Sequence, residues 1–372
     1  MDFTYDDEQQ ALREAVRGLV GKAYSDYENR RRTVGEDPGF SDKVWQQLAE
    51  MGVLGLPFEE QYGGMGAGPI EVGIVAQELG RVLAPEPFLT SVVLAGGLVA
   101  AAGSAEQKET LLGGLASGET LLTFAHAEPG SRWSASAADV TASGGSLNGV
   151  KEPVVQGARA DVLIVSAALE GGGTGLFVVD GSATERTSYP THDGGRAAKV
   201  TFSGTAATPL GDGGDATAVI ARVLDSARIA ACNEAVGLME VALEMTASYL
   251  KSRKQFGVTL NTFQALTFRS ADMYVSLELA RSLATWATMV LAEDGDTAVA
   301  ASRASLQVSR AGRHIGQEAI QLHGGIGVTA EYAIGNYTSR LTALDHLLGD
   351  GNHHLAQLAA GVGGYDEVEP LS

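Results

Sequence analysis

The sequence lacks the residues that stabilise small exported or metal-dependent proteins. Cys232 is the only cysteine among 372 residues, so an internal disulfide is excluded, and no Cys/His cluster has the spacing of a structural zinc site. His353 and His354 lack further ligands nearby, and we expect them to begin the last helix and to face solvent or a partner subunit. We therefore expect no metal and a reducing, cytoplasmic location.

Long apolar runs and an excess of positive charge are also missing. No stretch of about 18 apolar residues occurs, and the first ten residues are acidic and polar rather than basic and then apolar. The 26 Lys and Arg residues stand against 45 Asp and Glu, a formal charge of −19 that repels nucleic acids and anionic membranes. We therefore expect no export signal, no membrane span and no nucleic-acid partner.

The pattern of the sequence changes along the chain from helical to strand-like and back to helical. Residues 1–118 have helical periodicity, residues 119–212 contain short β-type runs between glycine turns, and residues 213–362 return to long helical periods. This order predicts an α+β protein with an N-terminal helical bundle, a small antiparallel β-barrel or sandwich and a C-terminal four-helix bundle. Residues 363–372 are predicted to form a flexible tail.

The periodicity also predicts individual elements. Helices are expected at Glu8–Ala23, Ser41–Met51, Pro69–Leu83, Ser91–Ala102, Ala216–Arg253, Phe263–Glu293, Thr297–His323, Glu331–Leu348 and His353–Ala360. Strands are expected at Leu121–Phe124, Asp139–Ala142, Val162–Ser166, Gly175–Val179 and Lys199–Phe202.

A basic helix end followed by a glycine and a new helix is the first chemical motif. It reads Arg253-Lys254-Gln255-Phe256-Gly257, and Gln264 lies in the first turn of the next predicted helix. The backbone N–H groups of that turn, the positive end of the helix dipole and the Arg253 guanidinium together suit a diphosphate. Taken alone, such a pattern is more often ordinary capping by basic residues.

Two glycine-rich segments accompany this motif. Gln321-Leu322-His323-Gly324-Gly325 ends a predicted helix with glycines that favour a left-handed C-cap and leave the surface open to a planar or phosphate-bearing ligand. Tyr62-Gly63-Gly64-Met65-Gly66, taken alone, is a turn between helices. Each segment is weak evidence by itself, and its value lies in the combination.

In this order and spacing, the three motifs resemble the acyl-CoA dehydrogenase family over nearly the whole chain. The resemblance implies FAD bound between the middle and C-terminal parts, an acyl-CoA thioester as substrate, a tetramer of two dimers and an electron acceptor for the reduced flavin. In that family, the residues matching Arg253, Phe256, Gln264, Gln321 and Gly325 contact the adenosine diphosphate half of the neighbouring subunit's FAD.

The sequence departs from the family in the segments that would hold the flavin ring. The family's TEP-x-x-GSD segment here reads Ala127-Glu128-Pro129-Gly130-Ser131-Arg132-Trp133-Ser134, without the GSD. The family's K-x-W-I-T-N-G segment here spans residues 151–157, with Pro153 and Val155 where an aromatic residue and a threonine would face the isoalloxazine ring. The lysine and glycine at its two ends keep the register, so the alignment holds while the flavin contacts are missing.

The catalytic glutamate that the resemblance implies is missing from both of its usual positions. Gly349 occupies one, and Ala227, immediately before Arg228, occupies the other. The candidate substitutes for this base are Asp350 and Glu234, which lies on an otherwise apolar stripe of a predicted helix. For Glu234, a structural ion pair or a subunit contact is the stronger alternative. Asp350 lies one position after the place of the family's glutamate, and its side chain is one methylene shorter.

The chain thus keeps the contacts for a neighbour's FAD and lacks many contacts for its own. We predict an FAD-binding, non-catalytic subunit of a heteromeric α2β2 acyl-CoA dehydrogenase, resembling actinobacterial enzymes that act on sterol side-chain CoA esters. Its expected partners are a homologous subunit, the acyl-CoA substrate and an electron acceptor. A self-sufficient homotetramer with Glu234 or Asp350 as a displaced base is one alternative, and a flavin-free scaffold on the same fold is another.

Overall fold

The computed structural model describes residues 4–364, which form a helical part, a β part and a second helical part in that order. The α+β class and the sequence of the three parts are as predicted. Most of the predicted flexible tail, from residue 365 onward, lies outside the described residues. No helix between residues 4 and 364 is long and apolar enough to cross a membrane.

The N-terminal part is a bundle of short helices. Helices α1 to α6 span Asp7–Ala23, Tyr27–Gly35, Asp42–Glu50, Pro69–Arg81, Gly97–Ala102 and Ala105–Ala116, and a π-helical segment, Phe88–Gly96, runs directly into α5. A capping box of Asp6 with Gln9 begins α1. Periodicity predicts neither α2, which buries only Arg30 and Val34, nor α6, which contains two glycines.

The glycine-rich loop before α4 folds back on the turn that precedes it. The Gly66 N–H donates to the Phe58 carbonyl at 2.7 Å, and the Met65 N–H donates to the Gly55 carbonyl at 3.2 Å. A Cβ at Gly64 would lie 2.0 Å from the Phe58 carbonyl oxygen, so only glycine fits there. Backbone packing therefore explains this motif without a ligand.

The middle part is one mixed β-sheet. Strands β1 to β8 span Leu122–Ala125, Thr141–Ser143, Ser146–Val155, Val162–Leu169, Thr174–Asp180, Glu185–Pro190, Arg196–Ala206 and Thr208–Pro209. The order is β6-β7-β3-β2-β4-β5-β8, and β1 also pairs with β4. Because β1 and β2 run parallel to β4, the prediction of an antiparallel arrangement is wrong at these two strands.

The C-terminal part consists of long helices packed around α7. Helices α7 to α11 span Thr217–Ser252, Gln264–Ala292, Thr297–His323, Ile334–Leu347 and Gly351–Gly361, and a short hairpin of β9 (Lys254–Gln255) and β10 (Val258–Thr259) follows α7. Helix α7 is apolar around most of its circumference because α4, α8, α9 and α10 all pack on it. Gly324 follows the last residue of α9 with φ of 65° and ψ of −143°, so a glycine ends this helix with a positive φ, but not in the predicted left-handed helical conformation.

Candidate functional site

The residues proposed to contact FAD lie at one end of the C-terminal helices. Arg253 is the C-cap of α7, Gln264 is the first residue of α8, and Gln321 and Gly325 lie on either side of the end of α9. Short connections join these three packed helices, so they alternate in direction. The end of α7, the start of α8 and the end of α9 therefore meet at one surface.

Aromatic and ionic contacts fix these helix ends relative to one another. Tyr249, in the last turn of α7, stacks on His323 at the end of α9 with ring centroids 4.6 Å apart, and His323 also contacts Tyr332 at 5.1 Å. Arg269 of α8 forms two hydrogen bonds, of 2.5 and 3.0 Å, with the Glu318 carboxylate of α9. The surface is thus organised before any ligand binds.

The candidate side chains on this surface are free to contact another molecule. Phe256 is 91% exposed, and Arg253, Gln264, Gln321 and Gly325 are exposed as well. Within residues 4–364, no carboxylate pairs with the Arg253 guanidinium. A cation, an aromatic ring and the N-terminus of a long helix together suit an anionic ligand with a planar group, as in a nucleoside diphosphate.

An apolar face of α8 continues from this surface. Phe268, Val275 and Leu279 are 63, 55 and 55% exposed and lie on one face of the helix. Several apolar side chains near the helix ends are exposed as well: Phe256, Val258, Ile326 and Val328. Exposed apolar surface of this extent usually marks a contact with another chain.

The second region is a cleft between the β-sheet and the C-terminal helices. Its walls include Phe124, His126, Ala127, Pro153, Val155, Leu347 and Leu348, and Trp133 also lines it. The Trp133 indole N–H donates to the His346 carbonyl at 3.0 Å, and its ring lies 5.3 Å from that of His353. The cavity that remains beside Trp133 is about 90 Å³, well below the roughly 300–1,000 Å³ of small-molecule pockets.

Trp133 has a backbone conformation that is uncommon for a bulky residue. Its φ is 53°, a region where a bulky residue costs about 1–3 kcal/mol. The Arg132 guanidinium lies 5.8 Å from the centre of the Trp133 ring. The Trp133 indole therefore lies at the junction of α10 and α11.

The residues that survive from the two flavin-ring segments have a structural role. The fully buried Lys151 ammonium donates to the Glu128 carboxylate at 2.7 Å, the His126 carbonyl at 2.9 Å and Ser166 Oγ at 3.1 Å. Glu128 also accepts three backbone N–H bonds from residues 138–140. Burial alone would raise the pKa of Glu128, but Lys151 and these N–H groups hold it well below its usual range.

Glu234, the first candidate base, is in a buried ion pair. It is 7% exposed, and its Oε1 accepts a hydrogen bond from Arg340 Nε at 2.7 Å. Arg340 also donates to the Asp193 carboxylate at 2.7 Å, which links α7 and α10 to the loop between β6 and β7. Glu234 therefore has a structural ion pair, which is one of the two alternatives favoured over a catalytic base; a subunit contact stays a prediction.

Asp350, the second candidate base, caps a helix. Its Oδ1 accepts the His353 backbone N–H at 2.8 Å at the start of α11. Gly349, which aligns with the family's glutamate, has φ of 126°, and a Cβ there would lie 2.7 Å from His353 Cδ2 and 2.8 Å from His354 Nε2. A glutamate at this position requires both histidine rings to move.

The expectation that both adjacent histidines face solvent or a partner is wrong for His354. This side chain is 1% exposed because α11 packs against α9 and because the ring lies against the bare Cα of Gly349. Burial, with smaller contributions from Arg228 and His353, lowers the pKa of His354 to about 4. Within the described range, no group of three or more His, Cys, Asp or Glu side chains is placed to hold a metal ion.

Comparisons with known proteins agree with this fold and these motifs. Residues 6–119 match the family model "Acyl-CoA dehydrogenase, N-terminal domain", and residues 214–363 match "Acyl-CoA dehydrogenase, C-terminal domain". "Acyl-CoA dehydrogenase FadE28" of Mycobacterium tuberculosis is 32% identical over 367 residues, covering 97% of this chain and 98% of that protein. The chain belongs to the acyl-CoA dehydrogenase family.

Solved structures extend the similarity to complexes. A variant of the "Tcur3481-Tcur3483 steroid ACAD" has a TM-score of 0.88 and 31% identity, covering 96% of this chain and 98% of that one. The "ChsE4-ChsE5 complex from Mycobacterium tuberculosis" has a TM-score of 0.89 and 26% identity, covering 99% and 100%. FAD is the cofactor of this family. The exposed helix ends suit its diphosphate half, whereas Trp133 narrows the cleft beside the segments that would face its ring.

Proposed function

We propose that this chain is the non-catalytic, FAD-completing subunit of a heteromeric α2β2 acyl-CoA dehydrogenase. The complex removes two hydrogens from the α and β carbons of an acyl-CoA thioester, and the partner subunit supplies the base and the contacts to the flavin ring. One observation carries the proposal: the surface around Arg253 is open to a diphosphate, while Trp133 narrows the chain's own cleft.

The position of each candidate carboxylate supports the same division of labour. Glu234 is paired with Arg340, Asp350 caps α11, and a glutamate in place of Gly349 would require two histidine rings to move. The exposed apolar face of α8 supplies surface for a partner. An electron acceptor then reoxidises the flavin held at the shared site.

The comparisons support a bulky acyl group. One similar solved structure is described as a steroid acyl-CoA dehydrogenase, and another is a complex of two named chains. We therefore propose a sterol side-chain CoA ester as the substrate of the complex.

A self-sufficient homotetramer is the second candidate. Glu234 borders a cavity whose wall also includes Pro153 and Val155, so this carboxylate lies near the cleft that would hold a flavin. The ion pair of Glu234 with Arg340 and the position of Trp133 argue against the homotetramer. A flavin-free scaffold is the third candidate, on the sole ground that Trp133 narrows the cleft.

The flavin spectrum of the purified protein separates the three candidates. The chain expressed alone is expected to be colourless, and the chain co-expressed with its homologous partner is expected to yield a yellow, active complex. A yellow, active homo-oligomer would contradict the proposal in favour of the homotetramer. A complex that stays colourless with every homologous partner and added FAD would support the scaffold instead.

Amide substitution tests the absence of a base in this chain. The double variant Glu234→Gln with Asp350→Asn, assembled with its wild-type partner, is expected to keep turnover within a few-fold of the parent. If either carboxylate were the base, turnover should fall by about 10²–10⁴.

Assembly and flavin content must be compared first, since the loss of the pair with Arg340 lowers stability and a lost complex would mimic lost chemistry. Glu244→Gln, at an exposed carboxylate on the same helix as Glu234, is the matched control. A large rate loss in an intact, flavin-loaded complex would return this chain to the catalytic role.

A further inference from the structure

A cavity of about 280 Å³ lies between the N-terminal helices and α7. Its wall comes from the loop of residues 57–68, from α4, from the π-helical segment, from α5 and from α7, and Leu291 of α8 completes it. The cleft beside Trp133 measures only about 90 Å³. The larger cavity lies close to the roughly 300–1,000 Å³ of small-molecule pockets.

This cavity is separate from the cleft between the β-sheet and the C-terminal helices. The π-helical segment contributes to both, but with different residues: Thr90 and Leu94 line the cleft, whereas Val92 and Val93 line the cavity. Within residues 4–364, no residue lines both. None of the residues proposed to contact FAD, and neither candidate base, lines the cavity. The proposed FAD-completing function therefore leaves it without a role.

The wall of the cavity is apolar and uncharged. In the described part of the chain it carries no charged side chain and only two polar ones, Ser226 and Asn233. Val92 and Ile229 of the wall are buried, whereas Ala100 and Ser226 are half-buried, so the cavity runs from the surface towards the core. An ion would lose its hydration here without meeting an opposite charge. The cavity therefore suits a neutral, mainly apolar molecule.

Hydrogen bonds hold the side-chain amide of Asn233 in one orientation. Its Nδ2 donates to the Ile229 carbonyl at 3.0 Å and to Thr288 Oγ1 at 2.9 Å. The Thr288 hydroxyl donates in turn to the Ala284 carbonyl at 2.9 Å. Both partners of Nδ2 are thus acceptors, so the amide cannot be reversed, and both of its hydrogens are used inside the protein.

The amide oxygen of Asn233 remains available. No group within residues 4–364 donates a hydrogen bond to it, and it is not among the unpaired polar atoms that are fully enclosed. Ser226 also offers an acceptor, because its hydroxyl proton is donated to the Arg222 carbonyl at 3.1 Å. Both polar side chains of the wall thus offer acceptors and no free donor. A ligand that pairs with them must bring the donor.

We propose that this cavity binds one neutral alcohol with a compact hydrocarbon body, whose hydroxyl group donates a hydrogen bond to Asn233 Oδ1. The aliphatic wall holds the hydrocarbon, and the amide oxygen selects a donor. A ketone of the same shape places its oxygen against another acceptor, and a carboxylate brings a charge that the wall does not compensate. Binding here is distinct from completing the FAD site, so it can be measured whether or not the chain has a catalytic role.

Three probes that share one adamantane cage test this class on the full chain and on its complex with the homologous partner. They are 2-adamantanol, 2-adamantanone and adamantane-1-carboxylate, and calorimetry or ligand-observed NMR gives affinity and stoichiometry. The alcohol is expected to bind once per chain, both alone and in the complex. It should bind about fivefold or more tighter than the ketone, because one hydrogen bond is worth about 1 kcal/mol. The carboxylate is expected not to bind.

The variant Asn233→Leu tests the amide oxygen. It keeps the approximate size of the side chain, so it should abolish the preference for the alcohol and leave the affinity for the ketone nearly unchanged. Because this variant also loses the hydrogen bonds to Ile229 and Thr288, its melting temperature is compared with that of the parent first. If it does not fold, the comparison of the three probes and the next variant still decide.

The variant Ala100→Leu locates the binding. It adds carbon atoms to the wall and should weaken the alcohol and the ketone alike, by about fivefold or more, because they crowd the bound molecule. Ala101→Leu, the same substitution at the exposed next residue of α5, is the matched control and should change neither affinity.

Three results would overturn the proposal. If no probe binds up to its solubility limit, or if binding to the chain is lost in the complex, the assembled protein holds no such ligand. If the ketone or the carboxylate binds as tightly as the alcohol, the amide oxygen does not select a donor. If Ala100→Leu leaves every affinity unchanged, the probes bind elsewhere.

Discussion

The flavin content of the assembled complex is expected to fall about tenfold or more in Arg253→Ala. The guanidinium lies exposed at the end of α7 and has no carboxylate partner in the described part of the chain. Charge-assisted hydrogen bonds to a diphosphate are worth about 1.5–3 kcal/mol, and about 1.4 kcal/mol is a factor of ten in affinity. The measurement is flavin absorbance per complex after gel filtration at a fixed, limiting FAD concentration.

Two controls make this result specific. Arg253→Lys should restore binding only in part, because an ammonium lacks the planar fork that matches phosphate oxygens. Arg222→Ala removes an exposed arginine near the other end of the same helix and should leave flavin content unchanged. Unchanged flavin content in Arg253→Ala would remove this residue from the proposed site.

Sustained helical periodicity explains why the C-terminal elements were predictable. Helix α9 has the bounds that the sequence predicts, Thr297–His323, because 27 residues of one period leave little choice of register. Strand β3 was not predicted because Gly149 and Pro153 both argue against a strand. Pairing with β7 overrides these local preferences, at the cost of irregular register between the two strands.

The candidate site also has one part that the sequence predicts and another part that it does not. The residues at the helix ends follow from a local motif and a family resemblance, and the structure brings them to one surface; their contact with FAD stays a prediction. The position of Trp133 depends on a contact with His346, more than two hundred residues later, which no local pattern encodes.

The segments that lost their flavin contacts still contain residues that the β part needs. Lys151 is fully buried and its nearest carboxylate, Glu128, is almost as deeply buried. Removing one member of a buried ion pair costs about 3–5 kcal/mol because the other charge is left without a partner. Lys151→Met is therefore expected to lower the free energy of unfolding of the β part by about that amount, as measured by chemical denaturation.

The double variant Lys151→Met with Glu128→Gln distinguishes the effect of losing the ion pair from the effect of losing side-chain packing. Removing both charges should recover part of the stability lost in Lys151→Met, since an unpaired buried carboxylate no longer remains. Lys199→Met, at an exposed lysine of β7, should change stability by no more than about 0.5 kcal/mol. If Lys151→Met costs no more than Lys199→Met, the pair does not hold the sheet together, and the retained lysine then needs a functional explanation.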